Sequence, residues 1–182
     1  MTSNPNNREK LNDICFSTPH LSNNLLKSYA EAGSICFESQ GHNGSVLMSI
    51  QGDYNDKLII TWDTINDRIR RTYNDFQEAV EWGATAVSFL LVKKYTKNTV
   101  IERSFKSTGF DYWLGSNDDI LFQRKSRLEI SGILKETSTN SVKTRIKIKL
   151  SQIDRSNMNL PGLVIVVEFS KPLSEMRNKK NE

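Results

Sequence analysis

The chain has 182 residues, enough for one domain with a substantial core. Hydrophobic residues make up 37% and charged residues 25%, and no apolar run approaches the length of a membrane span, so no membrane-spanning helix is expected. The net charge is +4, and a single segment near residue 147 accounts for all of it.

Residues 1–12 are rich in Asn and predict a loose tail, without the apolar stretch of a signal peptide. From Ser22 the pattern turns helical: Leu25, Leu26, Tyr29, Ala32, Gly33 and Cys36 recur at steps of three and four, with Ser22 as N-cap. Gly41 and Gly44 stop this helix, and His42 between them reads as a turn residue before a ligand or a base. Cys15 and Cys36 have no metal-ligand spacing and lie in apolar surroundings, which predicts free, reduced thiols in a cytoplasmic protein. Residues 45–51 and 57–62 read as a β-hairpin around G-D-Y-N-D, added to the edge of a larger sheet.

Residues 63–95 are helical, either as two helices or as one kinked helix, with Asp63 or Thr64 as the cap. The first part is polar and basic. In the second part Ala84, Val87, Leu90 and Leu91 would pack on a sheet, and Gly83 and Ala84 permit close approach. Glu78 and Glu81 stand one helical turn apart.

Residues 99–105 predict the first core strand. The second follows Gly109 and the third covers residues around Leu128, with a polar turn at Asn117, Asp118 and Asp119 between them. Asp111 and Glu129 each interrupt one of these apolar strands, and a carboxylate there is costly unless something compensates it. Side chains alternate, so Arg127, Glu129 and Ser131 share one face, with Leu128 and Ile130 on the other. If the two strands pair, Asp111 and Glu129 converge into a two-carboxylate site suited to Mg²⁺. The alternative is that the two acids pair with Arg127 or Arg103. Gly132 allows close approach of backbone or phosphate.

Residues 141–153 form an amphipathic helix with Val142, Ile146, Leu150 and Ile153 on one stripe and Lys143, Arg145, Lys147 and Lys149 beside it. From Thr139 to Arg155 five basic residues face one acid, a balance of +4 equal to that of the whole chain. This helix is the candidate nucleic-acid contact; a solvated amphipathic face is the alternative. Residues 163–169 read as a strand buried on both faces, and residues 171–182 as a polar, basic tail.

The run G-F-D followed by L-E-x-x-G, after an acidic helix and a strand, resembles the PD-(D/E)xK nuclease superfamily. Both segments together also resemble a narrower set of bacterial proteins without an assigned function. The superfamily resemblance covers residues 75–169 and implies an α/β (α+β) fold: a central mixed sheet flanked by helices, here a restriction-endonuclease-like core in residues 13–170 with an extra N-terminal helix and hairpin. It implies Asp111 and Glu129 as metal ligands, with Glu81 from the preceding helix as a third. The lysine that such enzymes carry two residues after the Glu is Ser131 here. A hydroxyl cannot supply that charge, and Lys106, five residues before Asp111, is the first substitute.

The function this implies is a nucleic-acid-binding protein, DNA before RNA, working as a Mg²⁺-dependent or degenerate nuclease in bacterial defence or DNA processing. The alternative is a non-catalytic subunit of the same fold within a larger complex, or a homodimer. A membrane partner is not expected.

Overall fold

Eight strands form one mixed sheet in the order β1-β3-β2-β8-β7-β6-β5-β4 in the computed structural model, which describes residues 7–116, 123–154 and 159–179. The strands are β1 (Arg8–Lys10), β2 (Ser45–Gly52), β3 (Asp56–Thr61), β4 (Thr99–Arg103), β5 (Tyr112–Gly115), β6 (Ser126–Ile133), β7 (Gly162–Glu168) and β8 (Leu173–Lys179). The helices are α1 (Ile14–Ser17), α2 (Asn23–Ser39), α3 (Asp67–Thr72), α4 (Phe76–Tyr95) and α5 (Val142–Asp154). No described helix is long and apolar enough to cross a membrane.

Alternation in β7 explains the layers. Leu163, Ile165 and Val167 join a core with residues of α2 and α4, whereas Val164 and Val166 pack with Val142, Ile146 and Ile153 of α5. The strand is therefore apolar throughout because both its faces are covered. Helix α5 connects β6 to β7, which run parallel and need a crossover.

The hairpin forms as expected, with β2 and β3 antiparallel. The two-helix reading of residues 63–95 also holds, but the caps differ. Asn66 caps α3, accepting from the backbone N–H of Arg68 and Ile69 at 3.0 and 3.1 Å, and Asp75 caps α4, accepting from Gln77 at 2.9 Å. Asp63 instead pairs with Lys10 at 2.7 Å.

Both expected tails are partly built into the sheet. Arg8–Lys10 pairs with β3, and Leu11 and Ile14 anchor it by complete burial. At the other end Leu173–Lys179 is β8, seated between β2 and β7. Its polarity misleads because one row of the strand neutralises itself: Arg177 Nε donates to Glu175 at 2.8 Å and its NH1 to Asp53 at 3.3 Å, while Ser174 and Met176 are fully buried. Residues 1–6 and 180–182, the expected turn at Asn117 to Asp119, and Arg155 lie outside the described residues.

The tightest helix crossing is α2 on α4, where a Cβ on Gly83 would stand 2.8 Å from Cα of Gly33. Backbone meets backbone there, so a methyl group cannot be absorbed by a rotamer change. Gly83→Ala should cost about 1–3 kcal/mol in a urea unfolding curve. Unchanged stability would mean that the two helices can separate without loss.

Candidate active site

Asp111 stands immediately before β5, and its backbone N–H donates to the Leu128 carbonyl at 2.8 Å. The antiparallel ladder runs Tyr112↔Leu128 and Trp113↔Arg127, and Asp111 stands one residue beyond it. Its carboxyl meets that of Glu129, and both lie within reach of the charge of Lys149 on α5. The two acids converge as the strand pattern predicts. Asp111 Oδ2 accepts the Ile130 N–H at 2.8 Å, which fixes its direction.

Glu129 is 1% exposed. Its Oε1 receives Lys149 Nζ of α5 at 2.5 Å. Its Oε2 is buried and has no donor while both acids are ionised. A protonated Glu129 can instead donate to the Asp111 carboxylate. Burial, then the charge of Asp111, pushes Glu129 up to about 7 against the opposing pull of Lys149. Burial also raises Asp111, opposed by the Ile130 N–H and by Lys149. The pair thus retains a proton near neutral pH and titrates as a unit.

Neither arginine is the hydrogen-bonded partner of these acids. Arg127 does share the Glu129 face, but its NH1 donates to the Ile153 carbonyl at 2.9 Å and its NH2 to that of Leu160, so it ties the end of α5 to β6. Arg103 reaches Asp111 only as a more distant charge. Ser131 receives Arg145 NH1 at 3.3 Å, and Asn140 Oδ1 holds the same guanidinium at 2.7 Å.

The four basic residues of α5 therefore divide. Arg145 and Lys149 turn to the acids and Ser131, whereas Lys143 and Lys147 are exposed. Sequence reasoning placed Lys149 with the phosphate contacts and missed its place beside Glu129. The signal was present in the spacing. Residues four apart on a helix rise about 6 Å, and residues two apart on a strand about 6.7 Å. A helix folding back over its preceding strand can thus match Arg145 and Lys149 to Ser131 and Glu129.

Lys106 is not on a strand: β4 ends at Arg103, and Lys106 lies exposed in the turn of residues 104–109. The cation that stands beside Glu129 is Lys149. Glu81 is exposed on α4 and lines the same cavity of about 700 Å³ as Asp111, Ser131, Arg145 and Lys149. Among the described residues no three His, Cys, Asp or Glu side chains gather closely enough to hold a metal ion, so Glu81 is not clustered with Asp111 and Glu129. Gly132 serves packing, since a Cβ there would meet the Val80 carbonyl of α4 at 2.5 Å. His42 shares Nε2 between the carbonyls of Phe169 and Ser170 at 3.1 and 3.2 Å, a turn role. Cys36 is free and its thiol is pushed up to about 12 by burial.

No family model, curated protein or solved structure matches this chain.

Proposed function

We propose that the protein is a metal-dependent phosphodiesterase acting on nucleic acid, with a PD-(D/E)xK-like core in which Lys149 replaces the lysine absent at Ser131. The observation that carries this reading is Lys149 Nζ 2.5 Å from Glu129, with the Asp111 carboxyl, just before β5, meeting the same glutamate. The element order α4, β4, β5, β6, α5, β7 supports it.

Mg²⁺ is commonly held by one or two carboxylates, with waters and substrate phosphate completing its octahedron. Asp111 and Glu129 fit that requirement, and the unsatisfied Oε2 of Glu129 is the atom such an ion would use. The ion, when bound, lowers the pKa of a water and offsets charge on the phosphate. Lys149 keeps a positive charge beside Glu129, where attack on phosphorus develops negative charge. Arg145, aligned by Asn140, presents a planar donor to a phosphate oxygen at the cavity wall.

The test is cleavage of DNA oligonucleotides and plasmid in Mg²⁺, Mn²⁺ or EDTA, together with calorimetric metal titration. Metal-dependent cutting lost in Asp111→Asn is expected. Metal binding and DNA binding without cutting would leave the non-catalytic subunit, and neither binding nor cutting would sink both readings.

Lys143 and Lys147 project one turn apart beyond the cavity. Replacing both by Glu should weaken DNA binding and flatten the slope of log affinity against log salt by about two contacts' worth. An unchanged slope would place the phosphate path elsewhere.

A further inference from the structure

A second cavity, of about 670 Å³, shares Arg103 and Asp111 with the one described above and is also lined by Phe105, Lys106 and Gln152. Asp111 therefore borders both cavities.

Among the described residues three phenylalanines are exposed: Phe16 at 85%, Phe105 at 77% and Phe76 at 39%. Phe76 lines the first cavity, Phe105 lines the second, and Phe16 lines neither. An apolar ring held in water is ordinary when isolated. Two such rings, one in each of the cavities that Asp111 borders, beside Arg103, Lys106, Arg145 and Lys149, have a common explanation.

The turn that carries Phe105 is stiff. Ser104 Oγ contacts Thr108 Oγ1 at 2.8 Å and donates to the Phe110 carbonyl, and Thr108 Oγ1 donates to the Phe105 carbonyl at 2.9 Å. The chain reverses through two left-handed residues, Ser107 at φ 77° and Gly109 at φ 84°. The Ser104 N–H then bonds the Asp111 carbonyl at 2.8 Å, so the ring is tied to the acid it accompanies. Phe76 opens α4, anchored by the Asp75 cap.

We infer that the two cavities together take an unpaired nucleic-acid strand, with one base stacked on Phe105, another on Phe76, and the phosphate between them at Asp111. This rests on the nucleic-acid reading of the same site. The faces of a paired base are occupied by its neighbours in the stack, so rings at these positions can engage bases only where the strand is single or splayed. Base stacking tolerates every sequence, because each base offers a π-face.

The experiment is fluorescence anisotropy with a labelled 12-nucleotide single-stranded DNA and the matching duplex, in EDTA so that no cutting occurs. The wild type should bind the single strand at least tenfold more tightly. Phe105→Ala and Phe76→Ala should each weaken single-strand binding by about tenfold and leave duplex binding and the salt slope unchanged. Lys106→Ala should reduce the salt slope by about 0.7. Phe105→Trp should restore affinity, which a merely structural role for the ring would not predict, and Phe16→Ala should have no effect. Single-strand binding of this pattern without cleavage in Mg²⁺ would support the inference while overturning the phosphodiesterase. Equal affinity for duplex and single strand, or indifference to Phe105→Ala, would overturn the inference and leave the phosphodiesterase standing. Binding to neither oligonucleotide would overturn both.

Discussion

Glu129→Gln should abolish the proposed cleavage and, at the same time, make the protein more stable above pH 7. Glu129 is buried, and its folded pKa is raised from the ordinary 4.5 to about 7. The folded state therefore holds a proton that the unfolded chain releases between those values. Stability falls as pH rises through that window and levels off above it. The full effect is about 3 kcal/mol, an upper figure for a coupled pair. Gln carries no charge at any pH, so the variant's stability should be nearly flat from pH 4.5 to 8.5. Urea unfolding of both proteins across that range measures the difference. Parallel curves would show that Glu129 does not bear the penalty. Mg²⁺ should stabilise the wild type at pH 8 and not the variant, since Asp111 and an ionised Glu129 would be the residues that hold it.

Lys149→Met removes the cation and keeps most of the stem. Cleavage should fall by about 100- to 1,000-fold, the usual cost of losing one group that stabilises developing charge. Breaking a buried ion pair generally costs about 3–5 kcal/mol. Here the cost should approach that only at pH 8, because at pH 5 Glu129 is protonated and needs no partner. Ser131→Lys in the wild type should bring no gain, since it would crowd a third cation against Lys149 and Arg145. In the Lys149→Met background it should recover part of the activity, because Ser131 shares the Glu129 face and a lysine there can reach the same carboxylate once Arg145 gives way. Single-turnover cleavage of the four proteins decides this. Full activity in Lys149→Met would remove Lys149 from the chemistry.

Several features were legible from local pattern alone. The α2 helix, the β2–β3 hairpin and the strands around Val100, Tyr112, Leu128 and Val166 follow from periodicity, because each element's buried face repeats at its own period. The convergence of Asp111 and Glu129 was legible as a consequence of the pairing of their strands, although Asp111 stands one residue outside the ladder and is aimed by the Ile130 N–H.

Other features depended on contacts that no local pattern encodes. Leu173–Lys179 reads as a tail until β2 and β7 bond to both its edges, because its charges are balanced by Asp53, 124 residues earlier, and by each other. Lys149 reads as one lysine among four on a solvated flank. Only the angle at which α5 lies over β6 selects it, turning Lys149 into the low-dielectric space beside Glu129 and leaving Lys143 and Lys147 in water. The sequence by itself thus determined where the two acids stand, through the pairing of their strands. The docking of α5 decided which cation accompanies them, because a helix can rotate its flank toward or away from a sheet without altering its own hydrogen bonds.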